Sequence, residues 1–115
     1  MVSALPLWIS LLTGAPAAAQ QDARYEARYV IAGFLVRSVE VCGGDQQRTL
    51  DTAHKFVGSS EYRGVAQAAP ERAAKWLDEG INIFDADATD QGTEAACSHA
   101  ALARRRTETL LVSGQ

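Results

Sequence analysis

The sequence predicts an all-α protein: a small helical bundle of four to five helices, stapled by one disulfide, after a cleaved N-terminal signal peptide. Three observations carry that expectation. Apolar residues recur at steps of three and four, the period of a helix buried along one face, and there is no convincing two-residue strand pattern. Cys42 and Cys97 are the only cysteines, one even pair far apart in the chain. Residues 1–19 have the make-up of an export signal.

The signal is read from a short apolar run with Leu5, Leu7, Trp8, Ile9, Leu11 and Leu12, too short to span a bilayer, which needs about 20 apolar residues. Ala17 and Ala19 supply the small residues that precede a cleavage site, so the cut is placed after Ala19. This divides the chain into a signal peptide, 1–19, and a single helical domain, 20–115. No Lys or Arg precedes the apolar run, so the assignment of the start codon is left open. An exported chain meets an oxidising compartment, and there a Cys42–Cys97 bridge is the expected state. The loop it closes is long, and constraining it is worth about 4 kcal/mol in the chain-entropy picture.

The first helix of the domain is predicted from Asp22 to Cys42. Ala27, Val30, Ile31, Phe34, Leu35, Ser38, Val41 and Cys42 form its stripe, although 34–36 taken alone also fits a strand. Gly43 is the expected stop, since glycine takes the left-handed conformation that ends helices. Asp45 then caps a second helix to Val57, whose inner side carries Leu50, Ala53, His54, Phe56 and Val57. A short third helix, about Glu61 to Ala69, ends at Pro70, which suits the first turn of a fourth. The fourth presents Ala73, Trp76, Leu77, Gly80, Ile81 and Phe84; Gly80 either admits a close neighbour or ends the helix early. Residues 85–92 read as a loop, after which Asp90 or Thr93 caps a last helix, Glu94 to Leu111, with a small-residue face at Ala96, Cys97, Ala100 and Ala103.

Function is far less legible. A formal net charge of −3 with interspersed signs does not suggest a nucleic-acid binder, and the domain has neither a second apolar stretch for a membrane span nor a basic face for a membrane surface. Asp85, Asp87, Asp90 and Glu94 form a carboxylate-rich segment of the kind hard cations use. Its spacing departs from an EF-hand, because position six is Asp90 and position twelve is Ala96. These four are the candidate metal ligands, and a solvated acidic loop is the plainer expectation. His54, on the inner side of its helix, is a candidate pH sensor because imidazole titrates near neutrality. Arg104-Arg105-Arg106 is the one dense basic patch; its functional reading is an acidic partner surface. No nucleophile, zinc or haem spacing appears, so no catalytic residue and no cofactor is assigned.

The resulting expectation is a periplasmic or secreted protein of the bacterial cell envelope, not an enzyme. Its role would be to bind another envelope protein as an inhibitor, immunity factor, accessory subunit or chaperone. The alternative is a small-ligand or divalent-cation carrier using segment 85–94. Two distant cysteines bridged in a small helical domain is a layout similar to that of the small acid-stress periplasmic chaperones, in architecture alone and without a shared motif.

Overall fold

The computed structural model describes the backbone of residues 4–114 and the side chains of residues 21–114. The signal segment 1–19 and its cleavage position therefore lie outside the described side chains. Five helices follow in order: α1 (Ala4–Val41), α2 (Gln46–Phe56), α3 (Ser60–Ala68), α4 (Pro70–Gln91) and α5 (Thr93–Val112). No strand occurs among the described residues.

Four long helices make the bundle and α3 is the crossover within it. α2 runs back along α1, as shown by Gln46 donating to Val39 O near one end and Arg28 to Phe56 O near the other. α3 carries the chain across, and α4 then runs parallel to α1: Arg72 pairs with Asp22 at its start and Arg37 with Asp85 towards its end. α5 returns antiparallel to both. α1 and α5 each touch α2 and α4, which lie on opposite flanks and do not pack on each other.

The α1–α4 contact is the most extensive in the molecule, and two glycines make it possible. A Cβ at Gly80 would lie 2.7 Å from Phe34 N and closer still to Val30 O. A Cβ at Gly33 would lie 2.9 Å from the Leu77 carbonyl carbon and closer still to its oxygen. Backbone therefore meets backbone, with no side chain between. Of the two roles open to Gly80, the structure selects the close approach; the helix continues well beyond it.

Three core layers are stacked along the bundle. At one end Tyr29, Tyr62, Ala73 and Trp76 pack together, with Tyr25 against them. The Tyr29 hydroxyl donates to Tyr62 O, and burial pushes its phenol pKa up. In the middle Ala32, Leu35 and Ala53 join α1 to α2. At the far end Phe84, Ala96 and Ala100 pack under the disulfide, with Phe34 edge-on to Phe84 at 5.5 Å between ring centres. The buried hydroxyls of Ser38, Thr52 and Thr107 bond to carbonyls one turn back in their own helices, so none is left unmade. Cys42 and Cys97 are bridged, Cα to Cα 5.7 Å, across a sequence separation of 55.

Several local expectations change. α1 starts upstream of Asp22, because Ala17-Ala18-Ala19-Gln20-Gln21 are good helix formers. Its stripe is turned: Tyr29, Ala32 and Gly33 are buried while Ala27 and Val41 are exposed, since neighbours on three sides cover more than one ridge. Gly44 (φ +89°), not Gly43, takes the left-handed conformation between α1 and α2. Asp45 does cap α2, accepting from Arg48 N. Residues 85–91 are not a loop but the last two turns of α4. Ala86 and Ala88 favour helix, Arg37 holds Asp85, and Thr89 bonds back to Asp85 O. A single residue, Gly92 (φ +97°), separates α4 from α5 and occupies the cap position expected of Asp90 or Thr93, without a side-chain cap bond.

The crossing yields a prediction whose sign opposes helix propensity. Propensity alone makes Gly→Ala stabilising by about 1 kcal/mol in a helix interior. Gly64→Ala, where a Cβ meets nothing within 4 Å, is expected to gain about that much. Gly80→Ala is expected to lose at least about 2 kcal/mol, because only backbone can move aside. Urea unfolding of the two variants against the parent chain measures both. In the same assay, reducing the Cys42–Cys97 bridge is expected to lower stability by up to about 4 kcal/mol.

Candidate functional site

The largest described cleft opens where α2 ends. Phe56 is the last residue of α2, and the chain turns away at Gly58 into α3. The last turns of α5 run past that point, leaving a cleft of about 620 Å³ between α1, the α2–α3 turn and Leu110–Leu111. Its floor is aromatic and its rim is basic. The Arg28 guanidinium lies 4.4 Å from the ring centres of both Phe56 and Tyr62, and donates to Phe56 O at 3.1 Å. A guanidinium laid on two rings combines cation–π attraction with burial of its apolar stem. Beside it Arg24 pairs with Glu61 at 2.9 Å, and Glu61 also accepts from the Tyr25 hydroxyl at 2.9 Å. Lys55, on the opposite lip, pairs with no described residue.

The cleft continues along the α2–α5 seam. Lys55 and Leu111 also line the next depression with Arg48, Glu108 and Val112, and the last three reach on to Arg105. Within the seam Arg48 forks onto Glu108, with Nε 2.7 Å from Oε2 and Nη2 3.0 Å from Oε1, while Thr52 Oγ1 donates to Oε2 at 3.3 Å. The Arg48 hydrogen bonds hold the Glu108 carboxyl below its ordinary 4.5, aided by the Arg48 and Arg104 charges against the opposing effect of burial. The same pair raises Arg48. The whole groove thus presents Arg24, Arg28, Lys55, Arg48 and Arg105 against two carboxylates, Glu61 and Glu108. This is a positive strip on a chain of net charge −3. Its apolar edge is exposed: Leu110 is 39% and Val112 90% accessible.

The residues singled out from the sequence lie elsewhere, with one exception. Asp85 is taken by Arg37 at 2.8 Å and Asp87 by His99 Nδ1 at 2.7 Å, while Asp90 and Glu94 stand exposed. Helical geometry spreads these carboxylates around α4 and α5, and among the described residues no group of three or more His, Cys, Asp or Glu comes together. His54 is exposed, not on the inner side of α2: Thr52, Ala53 and Phe56 are the buried residues of that helix. Of the three consecutive arginines, Arg105 lines the groove, Arg104 turns inward and Arg106 is exposed. The groove residues that the sequence did not single out, Arg24, Arg28, Arg48 and Lys55, come from two helices. The only linear trace is the i, i+4 spacing of Arg24 and Arg28 on the side of α1 away from its apolar stripe.

Glu108 sets an acid-side dependence. Its folded pKa lies below its unfolded value, so its contribution is fully present above about pH 4.5 and is lost as pH falls through the folded pKa. Glu108→Gln is expected to be less stable than the parent at neutral pH, and the two should converge as the solution is acidified. Urea midpoints measured across pH 3 to 7 check this.

No family model matches this chain, and neither the curated proteins nor the solved structures provide a match.

Proposed function

We propose that this is an exported, non-enzymatic binding protein of the bacterial cell envelope, periplasmic or secreted. Its basic groove would receive an acidic, apolar-studded segment of a partner protein. The observation that carries the reading is the groove itself, five cations against two carboxylates beside exposed Leu110 and Val112, on an otherwise acidic chain. Charge of that sign selects negative partners and speeds their encounter, while the apolar edge supplies buried area once they dock. The length of the seam, from Arg24 past Lys55 to Arg105, suits an extended or helical peptide better than a compact metabolite. An inhibitor, an immunity factor, an accessory subunit or a chaperone would all use such a surface. Export is supported by the Cys42–Cys97 bridge and by residues 1–19.

Two labelled peptides of matched length and apolar content test the groove, one rich in Asp and Glu and the other in Lys and Arg. Fluorescence anisotropy is expected to show saturable binding of the acidic peptide only, weakened by salt. Binding should weaken by about tenfold or more in the Lys55→Glu, Arg105→Glu double variant. Equal binding of both peptides, or undiminished binding to the double variant, overturns the groove assignment. Intact mass of the exported protein checks the compartment: the expected chain begins at Gln20 and carries no free thiol.

A further inference from the structure

Charge is divided unevenly along this chain. Between Lys75 and Arg104 there is no Lys or Arg, yet that stretch holds Asp78, Glu79, Asp85, Asp87, Asp90 and Glu94. It forms most of α4 and the first half of α5, towards the disulfide end of the bundle, whereas the basic groove opens at the aromatic end. In the rest of the chain bases outnumber acids.

Helical spacing gathers part of the acidic charge into one stripe. Glu79, Ile83, Ala86 and Asp90 follow one another at steps of four, three and four on one side of α4. Ala86 and Asp90 are exposed, Glu79 is half-buried, and Ile83 is 50% accessible although large and apolar. Next to the stripe Asp87 is tied to His99 on α5, and Leu102, one turn after His99, is also exposed. Neither Glu79 nor Asp90 has an ion pair among the described residues. α4 thus shows solvent an acidic, apolar-studded helix face, the chemistry the groove is read as receiving. On the groove, Lys55 and Arg105 likewise have no ion pair among the described residues, and they stand beside exposed Leu110 and Val112. Unneutralised carboxylates around an apolar centre on one surface match unneutralised cations along an apolar edge on the other.

These two surfaces of one molecule cannot meet. No residue of α4 lines the groove, and the Gly33–Gly80 crossing fixes α4 along α1 with its stripe leading away from it. We propose that the groove of one molecule takes the α4 stripe of a second copy of this chain. The inference rests on the groove being a site for acidic segments, and it adds the occupant that holds the groove until a more acidic partner displaces it. The contact is head-to-tail, so every added copy leaves one groove and one stripe open and association does not stop at a dimer.

Sedimentation velocity of the oxidised protein tests this, from micromolar to millimolar concentration, at about 20 mM and about 0.5 M salt. The average mass is expected to rise with concentration at low salt and to return to the monomer at high salt. The double variants Glu79→Lys, Asp90→Lys and Lys55→Glu, Arg105→Glu are each expected to self-associate about tenfold or more weakly than the parent chain. Mixed one to one, they are expected to form a dimer and nothing larger, because a single complementary contact survives between an intact groove and an intact stripe. A parent chain that stays monomeric at low salt overturns the proposal. So does a mixture that stays monomeric, or assembly that persists in either double variant. The acidic labelled peptide, added to the same samples, separates the two readings. Peptide binding to a chain that stays monomeric overturns the second copy alone, and a chain that neither binds the peptide nor assembles overturns the groove reading with it.

Discussion

How closely α1 and α4 approach is decided where Gly33 faces the Leu77 carbonyl and Gly80 faces the Val30 carbonyl. Removing two side chains lets parallel helices meet backbone to backbone and form the spine of the bundle. Everything else is arranged around it. α2 and α4 take opposite flanks, and α5 closes the remaining face with small residues, Ala96, Ala100 and Ala103, because little room is left there. The same geometry sets the register of the ends: Tyr29 meets Trp76 at one end of the spine and Phe34 meets Phe84 at the other. Surface pairs such as Arg72–Asp22 and Arg37–Asp85 follow from that register and, being solvent-screened, add little stability of their own.

The two ends of the bundle are closed by different means. At the disulfide end a covalent bond joins the exit of α1 to the first turns of α5, over a layer whose large side chains are the buried Phe84 and the half-buried Phe34. At the aromatic end there is no covalent tie, and Tyr25, Tyr29, Tyr62 and Trp76 supply the buried area that α3 needs to stay docked. Large aromatic side chains bury enough surface to hold a nine-residue helix that could not stand alone.

Both concave surfaces arise where helices end. α2 stops at Phe56 while α5 continues to Val112, so the groove is the space that a longer α2 would have filled. A smaller cleft, with Arg104 in its lining, lies where α1 gives way to the Gly43-Gly44 turn beside the bridge. Arginine serves each differently. Arg28 is spread flat on two rings, Arg48 is neutralised by Glu108, and Arg104 is left with an unmatched buried nitrogen. Glu108 links the two regions, since one carboxylate is shared between the groove arginine and the cleft arginine.

The helical class, the punctuation at Asp45 and Pro70, and the pairing of the only two cysteines were legible in the chain, because each follows from local periodicity, capping chemistry or parity. Residues 85–92 misled for an equally local reason: a run rich in Asp with a terminal Gly reads as a loop until Arg37 and His99 arrive to hold Asp85 and Asp87 on a helix. His54 misled because amphipathic spacing places a residue on a helix face but does not say which neighbours cover that face. The groove belongs wholly to tertiary structure. Arg28 becomes part of it through Phe56 and Tyr62, 28 and 34 residues away in sequence, and Arg48 through Glu108 at a separation of 60. No linear pattern encodes such meetings. They depend on the angle and distance of helix packing, which two glycines set and which only the folded chain reveals.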